Sequence, residues 1–244
     1  MNNNINIASK IIYFMLALCL FSACKAEIDN WDYPSSRISG QFLYKDQPVQ
    51  ILGTASDAST GYMLQLIQLG PGKWNSGFIQ MNAKEDGSYT ILTFDGDYGL
   101  KITPGRGPWV PITDTLKFTL SGEKTDVNFN VTPYFWMSNY SDSYTDSTFT
   151  ATFNLEKVVP SAVLEKVVIF VGTTKILDNV SRVYEKSFTN LNPGMNTISV
   201  DLKTLSAADK RKLRQTGLLS ARVGVKTRTV TDYIFATSAK QITN

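Results

Sequence analysis

From residue 37 onward the sequence is a succession of short segments in which apolar and polar residues alternate. Alternation with a period of two places successive side chains on opposite faces of a strand, so that one face can be buried. In the first half of this region the segments are RISGQFLY, MLQLIQL, SYTILTF, YGLKIT, TLKFTL and TDVNFNV. Because no helical period separates them, the pattern predicts an all-β sandwich.

Residues with turn chemistry separate these predicted strands. Asp86-Gly87 stands before SYTIL and Asp95-Gly96 before YGLKIT, and each dipeptide predicts a hairpin turn. Gly70-Pro71-Gly72 predicts a loop, since neither residue type continues a strand well. A domain boundary is expected near residues 131–133, because Pro133 has no backbone donor for a β-ladder and holds the preceding residue extended.

A second set of predicted strands follows this boundary. The segments are PYFWM, TFTATFNL, EKVVIFVG, SRVYEKSF, MNTISVDL, SARVGVKT and YIFAT. About seven strands in about 110 residues is the number typical of an immunoglobulin-like (Ig-like) sandwich. The buried tryptophan and paired cysteines of antibody domains are absent from the pattern, so the likeness concerns architecture alone. The acidic segment SDSYTDS lacks the ligand spacing of a calcium loop and is interpreted as a solvated turn.

One short helix is predicted within this second domain, at SAADKRKLRQTG. Ser206 is suited to cap its N-terminus, and Gly217 is suited to follow its end. Leu205 and Leu213 are expected to face the sandwich. The cations of the segment are interpreted as a solvated polar face rather than a nucleic-acid site; they are Lys210, Arg211, Lys212 and Arg214.

The first 23 residues have the features of a signal peptide. Lys10 precedes an apolar run, residues 11–21, that is shorter than the ~20 residues a membrane-spanning helix needs. Two small residues and then Cys24 follow, and this stretch resembles a bacterial lipobox, with Phe21 where leucine is commonest. The resemblance implies cleavage before Cys24 and acylation of its thiol. The alternative is an ordinary secretory signal cleaved nearby, with Cys24 a stray thiol.

Lipidation would account for both cysteines of the chain, because Cys19 lies within the segment to be removed. No disulfide is then expected, and the acyl chains would be the membrane anchor. The chain has 24 Lys and Arg against 21 Asp and Glu, and loss of Lys10 with the signal leaves 23 against 21, a net charge of +2. A nearly neutral protein with scattered cations is not expected to bind nucleic acid.

The sequence contains no histidine. The commonest general base and the commonest metal ligand are therefore both absent. Neither a Ser-His-Asp nor a Cys-His nucleophile pair can be assembled, nor a usual zinc site. Paired carboxylates stay formally possible, but no pair stands out in the sequence. We therefore expect no catalytic residues, no metal and no cofactor.

Three segments of the first domain resemble the carboxypeptidase-regulatory-like (transthyretin-like) module. They are ISGQFLYKDQPV, EDGSYTI and DGDYGLKI, which supply a first strand with glycine, a Q-P-V turn and a G-x-Y corner. Tyr98 is expected to brace this corner from inside. With the passage into VTPYFW and a second β domain, the chain resembles Bacteroidota lipoproteins of unassigned function. Their genes commonly lie beside outer-membrane glycan importers.

The expected organisation is thus all-β, with two tandem sandwiches. A signal peptide covers residues 1–23, a lipidated tether 24–36, a transthyretin-like sandwich 37–132, and an Ig-like sandwich with one short helix 133–244. The resemblance implies a non-catalytic outer-membrane lipoprotein of a glycan-utilisation system that binds a polysaccharide or oligosaccharide. The alternative is an assembly partner of an importer complex that binds no sugar. Glu27 and Asp29 resemble surface-export signals and favour the outer face.

Loop tryptophans are the candidate glycan-binding residues, because sugar rings stack their apolar faces on indole. Trp74 lies in PGKWNSG and Trp109 lies in GRGPWVP. The alternative is that each tryptophan packs as a lid over the core at one end of its sandwich. Trp136, next to the domain boundary, is expected to pack between the two domains.

The lipobox interpretation predicts that Cys24→Ser releases the protein from membranes. Without its thiol the chain cannot be acylated, so the protein should move from the membrane pellet to the soluble fraction. Cell fractionation, with mass spectrometry of the wild-type N-terminus, measures this. An unacylated wild-type chain, or full membrane retention of the variant, would contradict the prediction.

Overall fold

The computed structural model describes residues 33–52, 62–70 and 77–242. The predicted signal peptide, Cys24 and Trp74 lie outside these residues. One compact unit spans Pro34–Asn244 and contains all of the strands described below. Within the described ranges, no helix combines the length and the hydrophobicity needed to cross a bilayer.

Two sheets form the first sandwich. Its strands are β1 (Ser36–Tyr44), β2 (Gln47–Pro48), β3 (Leu64–Leu69), β4 (Ile79–Met81), β5 (Ser88–Thr93), β6 (Gly96–Ile102), β7 (Leu116–Leu120), β8 (Glu123–Lys124) and β9 (Phe129–Asn130). In one sheet β1 pairs antiparallel with β2 and β5, and parallel with β8 and β9. The other sheet is antiparallel, in the order β4-β3-β6-β7.

Strand β1 illustrates how the alternating pattern buries one face of a strand. Ile38 and Phe42 point inward and are fully buried, whereas Ser39 and Gln41, which alternate with them, are half-buried. Gly40 shares the inward face, and a Cβ there would overlap the carbonyl oxygen of Val127 and lie 2.6 Å from the Tyr89 hydroxyl. The Tyr89 hydroxyl donates a hydrogen bond to the Val127 carbonyl. Glycine at position 40 thus leaves room for a buried hydrogen bond between β5 and the segment that joins β8 to β9.

The Asp95-Gly96 dipeptide does not form a hairpin, so that prediction is wrong. β5 pairs with β1, whereas β6 pairs with β3 and β7, and the dipeptide therefore carries the chain from one sheet to the other. Tyr98 is buried beneath this corner, where its hydroxyl donates to the Phe94 carbonyl at 2.8 Å and lies 2.9 Å from Thr93 Oγ1. The expectation that Tyr98 braces the corner from inside is confirmed.

Asp86-Gly87 forms a turn, but this turn also joins the two sheets rather than neighbouring strands. The Asp86 carboxylate accepts hydrogen bonds from the amide and the hydroxyl of Ser88, at 3.0 and 2.7 Å. Gly87 has φ of +78°, and a Cβ there would overlap the carbonyl oxygen of Val49. Both the backbone angle and the close approach therefore require glycine.

The second sandwich also has two sheets, joined at one end by helical segments. Its elements are β10 (Phe135–Thr145), β11 (Thr148–Lys157), β12 (Leu164–Gly172), β13 (Tyr184–Phe188), β14 (Gly194–Asp201), a 3-10 helix (Leu202–Thr204), α1 (Ala207–Arg214), β15 (Ser220–Thr227), β16 (Tyr233–Phe235) and β17 (Lys240–Gln241). One sheet has the order β10-β11-β14, and the other has the order β13-β12-β15-β16, with β17 also on β15. Two β-sandwiches with one short α-helix confirm the predicted fold class.

Strand β10 is longer than the sequence suggested. Most of the SDSYTDS segment, interpreted above as a solvated turn, belongs to β10, which ends at Thr145. Only Asp146 and Ser147 turn the chain, with φ of 51° and 68°. Positive φ at both central residues is the property of a type I′ hairpin, and this turn delivers the chain directly into β11.

The two sandwiches share one continuous hydrophobic cluster. It includes Phe42 and Trp109 of the first sandwich and Phe135 and Phe149 of the second. Trp136, which is 9% exposed, packs its ring edge-to-face against Tyr44 of β1 with a centroid distance of 5.3 Å. The predicted packing of Trp136 between the domains is confirmed.

Arg222, on β15, is the largest charged side chain buried at this junction, with 0% exposure. It donates hydrogen bonds to three carbonyl oxygens, those of Thr237 at 2.8 Å, Leu177 at 3.1 Å and Glu85 at 3.1 Å. Its guanidinium also lies 3.8 Å from the centroid of the Phe235 ring and 3.7 Å from a Glu85 carboxylate oxygen. Burial lowers the pKa of Arg222 to about 10, which leaves it charged at neutral pH.

A second buried ion pair crosses the junction in the other direction. Arg106, in the loop after β6, donates its Nε–H to Asp232 Oδ2 at 3.0 Å, and the amide of Gly107 donates to the same oxygen at 2.6 Å. The Asp232 side chain has 0% exposure and that of Arg106 has 7%. Each sandwich thus contributes one buried arginine that has a partner in the other: Arg222 donates to the Glu85 carbonyl, and Arg106 pairs with Asp232.

The junction predicts a large stability loss for Arg222→Met. The substitution leaves three carbonyl oxygens without their donor and the partly buried Glu85 carboxylate without its cation, which costs about 3–5 kcal/mol in the free energy of unfolding. Urea unfolding monitored by fluorescence measures it. Arg228→Met is the matched control, because Arg228 is exposed just beyond the same strand, and its change should stay within about 0.5 kcal/mol. Equal stability of the two variants would refute the junction's role.

Candidate functional site

A cavity of about 320 Å³ opens at one end of the second sandwich. Its walls come from the end of β10, the β10–β11 turn, the 3-10 helix, α1 and the residue before β15. Ligand sites in proteins typically measure about 300–1,000 Å³, so this cavity, here named the end cavity, has the size of a small binding site.

Local hydrogen bonds hold the elements of the end cavity in place. Ser206 caps α1: its hydroxyl oxygen accepts from the Asp209 amide at 3.1 Å, and its O–H donates to Asp209 Oδ2 at 2.7 Å. The Leu202 amide donates to the Ser147 carbonyl at 2.8 Å, which ties the 3-10 helix to the β10–β11 turn. Leu213 anchors α1 on the sandwich. The predicted helix, its cap and its inward leucines are confirmed.

One aromatic ring and an apolar surface line part of the end cavity. Tyr144, near the end of β10, is half-buried and packs against the core. Leu202 and Leu213 are each 8% exposed, and Leu219 is half-buried beside them. A phenol ring beside leucine side chains suits a ligand that has an apolar face.

Three cations lie around this apolar surface: Lys203, Lys210 and Arg214. Lys210 and Arg214 stand one helical turn apart on α1, on the face that also carries Leu213. In the part of the chain that the structure describes, none of the three forms an ion pair. The cavity can therefore offer both an apolar contact and unpaired hydrogen-bond donors to a ligand.

Trp109 does not lie at this cavity. Its side chain is 1% exposed, its ring packs against Phe42 with a centroid distance of 4.8 Å, and its backbone forms an antiparallel bridge with Pro133. A Cβ on Gly107, where φ is +93°, would overlap the indole. The ring therefore has no face open to a sugar. Trp109 packs within the core, as the core-lid alternative predicted. Its role in glycan binding gains no support.

A smaller cavity of about 150 Å³ lies beside Trp109, between the loop after β6 and residues 229–231. This volume falls below the usual range for ligand sites. Trp74, the other candidate, lies outside the described residues, so its role stays a prediction. The described residues contain no group of three or more Asp, Glu, Cys or His side chains arranged to hold a metal ion.

One sequence pattern in α1 points to the end cavity, although the α1 cations were interpreted above only as a solvated polar face. Lys210, Leu213 and Arg214 have the spacing i, i+3, i+4, which places both cations on the same flank of a buried leucine. Such cations lie at the edge of the buried face rather than on the opposite, fully solvated one. Tyr144 carried no comparable signal, because its segment was interpreted as a turn.

The fold and the cavity define a protein of two packed β-sandwiches with a small open site at the end of the second. The chain belongs to the DUF3823 family. The model described as "Protein of unknown function (DUF3823) N-terminal domain" matches residues 36–132, and the "Domain of unknown function (DUF3823_C)" matches residues 135–240. No match is found among curated proteins.

Solved structures of proteins from Parabacteroides and Bacteroides have the same fold. A DUF3823 family protein from Parabacteroides merdae is 30% identical, with a TM-score of 0.73 over 87% of this chain and 100% of that one. One from Bacteroides ovatus is 26% identical, with a TM-score of 0.68 over 85% and 98%. A Bacteroides uniformis protein named "putative carbohydrate binding protein" is 17% identical, with a TM-score of 0.66 over 86% and 100%.

Because Trp109 is buried in the core, we expect Trp109→Ala to lower the stability of the fold rather than to remove a ligand contact. Loss of a fully buried indole costs about 3–5 kcal/mol in the free energy of unfolding, because the core cannot close the cavity left behind. Urea denaturation measures this, with Tyr144→Ala, at a half-buried position, as the milder comparison. A Trp109→Ala protein as stable as wild type would contradict this placement.

Proposed function

We propose that the protein is a non-catalytic lipoprotein, anchored to the outer membrane through Cys24, that binds glycan at the cell surface as part of a glycan-utilisation system. The observation that carries the proposal is the end cavity, where Tyr144 and an apolar floor lie beside unpaired donors. Sugars need this combination, since their C–H faces stack on aromatic rings and their hydroxyls require polar partners.

The relatives support the proposal. The Bacteroides uniformis protein named "putative carbohydrate binding protein" has the same two-sandwich fold, and the DUF3823 family proteins with solved structures come from Bacteroides and Parabacteroides. The lipobox-like segment that ends at Cys24 supports the anchor. The transthyretin-like motifs of the first domain, ISGQFLYKDQPV and EDGSYTI, support a role as an accessory protein rather than as a hydrolase.

The composition of the chain supports the absence of catalysis. It has no histidine, and its two cysteines lie in or next to the segment expected to be removed. The lining of the end cavity contains neither Asp nor Glu. Hydrolysis of a glycosidic bond by the usual route needs two carboxyl groups on either side of that bond, and this cavity supplies neither.

An exposed sheet edge favours the second candidate function, assembly with an outer-membrane importer without sugar binding. Among the described strands β5 pairs only with β1, which leaves its other edge open. Leu92 in β5 is 57% exposed, and Phe94 just after it is 42% exposed. An open strand edge with apolar side chains is a surface on which another chain can add a strand.

Binding of the full chain to a panel of polysaccharides tests the proposed function. We expect affinity electrophoresis to show retardation by at least one polysaccharide, and Tyr144→Ala to weaken that binding about tenfold, since it removes the stacking surface. Trp74→Ala in parallel tests the loop candidate. Tyr184→Ala is the matched control, because Tyr184 is also half-buried on a strand of the same sandwich but does not line the cavity.

The outcomes separate the two candidate functions. Binding that survives Tyr144→Ala but is lost in Trp74→Ala would move the site to the first sandwich. Absence of binding across the panel, together with co-purification of an importer complex in detergent, would favour the assembly role.

A further inference from the structure

Resting on the proposed function, we infer that the end cavity selects an acidic sugar. A carboxylate or sulfate group on the ring is bound by Lys203, Lys210 and Arg214, while the ring itself lies against Tyr144. The inference deepens the proposed function, because it names the chemical class of the glycan bound at that site.

The concentration of positive charge is the first observation. Three of the eight residues that line the end cavity are cations and none is an acid, although the chain as a whole is nearly neutral. The nearest acids along the chain are already engaged: Asp201 accepts from the Lys203 amide at 2.8 Å, and Asp209 accepts from the Ser206 hydroxyl. These hydrogen bonds leave the charge on both aspartates, so the excess of positive charge is that of the cavity lining itself, with three cations and no acid.

The absence of partners for these cations is the second observation. Among the described residues Lys45 pairs with Glu156 at 3.1 Å, Lys166 with Glu185 at 3.4 Å and Lys240 with Asp142, whereas the three cavity cations form no ion pair. Three like charges around one cavity repel one another. An anion in the cavity relieves this repulsion and accepts charge-assisted hydrogen bonds, with Arg214 able to bind a carboxylate or sulfate through two parallel bonds.

The shape of the site favours a sugar over other anions. A cavity of about 320 Å³ with a tyrosine and a leucine floor admits a ring with an apolar face, and its cations stand around that floor rather than on a flat surface. A bilayer surface cannot enter a cavity of this size. Nucleic acid binding relies on an extended basic groove that follows many phosphates, whereas the cations here surround one cavity.

The test compares matched acidic and neutral oligosaccharides on the full chain. The probes are oligogalacturonate, which carries carboxylates, chondroitin sulfate oligomers, which carry both carboxylate and sulfate, and neutral galacto-oligosaccharides. We expect isothermal titration to show about tenfold tighter binding of an acidic probe than of the neutral one, and weaker acidic binding as salt rises. The two acidic probes distinguish carboxylate from sulfate as the preferred group.

Two double variants locate the effect. Lys210→Gln with Arg214→Gln removes two cavity cations and should weaken acidic binding about tenfold or more, with little change for the neutral probe. Arg211→Gln with Lys212→Gln is the matched control, because it removes the same charge from exposed positions of α1 that do not line the cavity. Equal unfolding midpoints of the two double variants establish that both are folded.

The results distinguish failure of this inference from failure of the proposed function. Neutral and acidic probes bound equally, or acidic binding equally reduced in both double variants, overturn the acidic-sugar inference while glycan binding stands. If the full chain binds no oligosaccharide at all, both fail. Binding of anionic phosphatidylglycerol vesicles through Lys210 and Arg214, without oligosaccharide binding, likewise overturns the inference in favour of a membrane surface.

Discussion

The buried guanidinium of Arg222 is the interaction on which the arrangement of the two sandwiches depends. Its carbonyl partners lie in both sandwiches, so its charge stays solvated only while they remain packed together. Separation would break the contacts of this charge with Glu85 and expose the shared core. Partial burial raises the pKa of Glu85, and the charge of Arg222 acts against that rise. The buried ion pair between Arg106 and Asp232 likewise holds the two sandwiches together. The two family domains therefore form one structural unit.

A filled core at the junction leaves the ends of the sandwiches for binding. Trp136, next to the boundary in sequence, and Trp109, whose backbone bridges to Pro133, are both buried in this packing. The far end of the second sandwich differs, because its two sheets are joined there by the 3-10 helix and α1 rather than by a tight turn. The end cavity lies between these helical segments and the end of β10, beside Tyr144.

Much of the fold was predictable from local signals. Period-two alternation located most of the strands, and the Ser206 cap with Leu205 and Leu213 located α1, because these patterns depend on residues close in sequence. The prediction of a hairpin at Asp95-Gly96 failed for the opposite reason. A D-G dipeptide requires only a turn, and whether the next strand pairs with the previous one or enters another sheet depends on distant partners.

The fold class, the helix and the corner under Tyr98 could be predicted from the sequence, since each follows from spacing, capping and turn chemistry within a few residues. The burial of Trp109, the contact of Arg222 with Glu85 and the meeting of Tyr144 with Lys210 and Arg214 at one cavity became visible in the folded protein alone. These features join residues tens of positions apart. Burial and convergence are properties of the packed whole, and no local pattern encodes which side of a strand or loop another domain will cover.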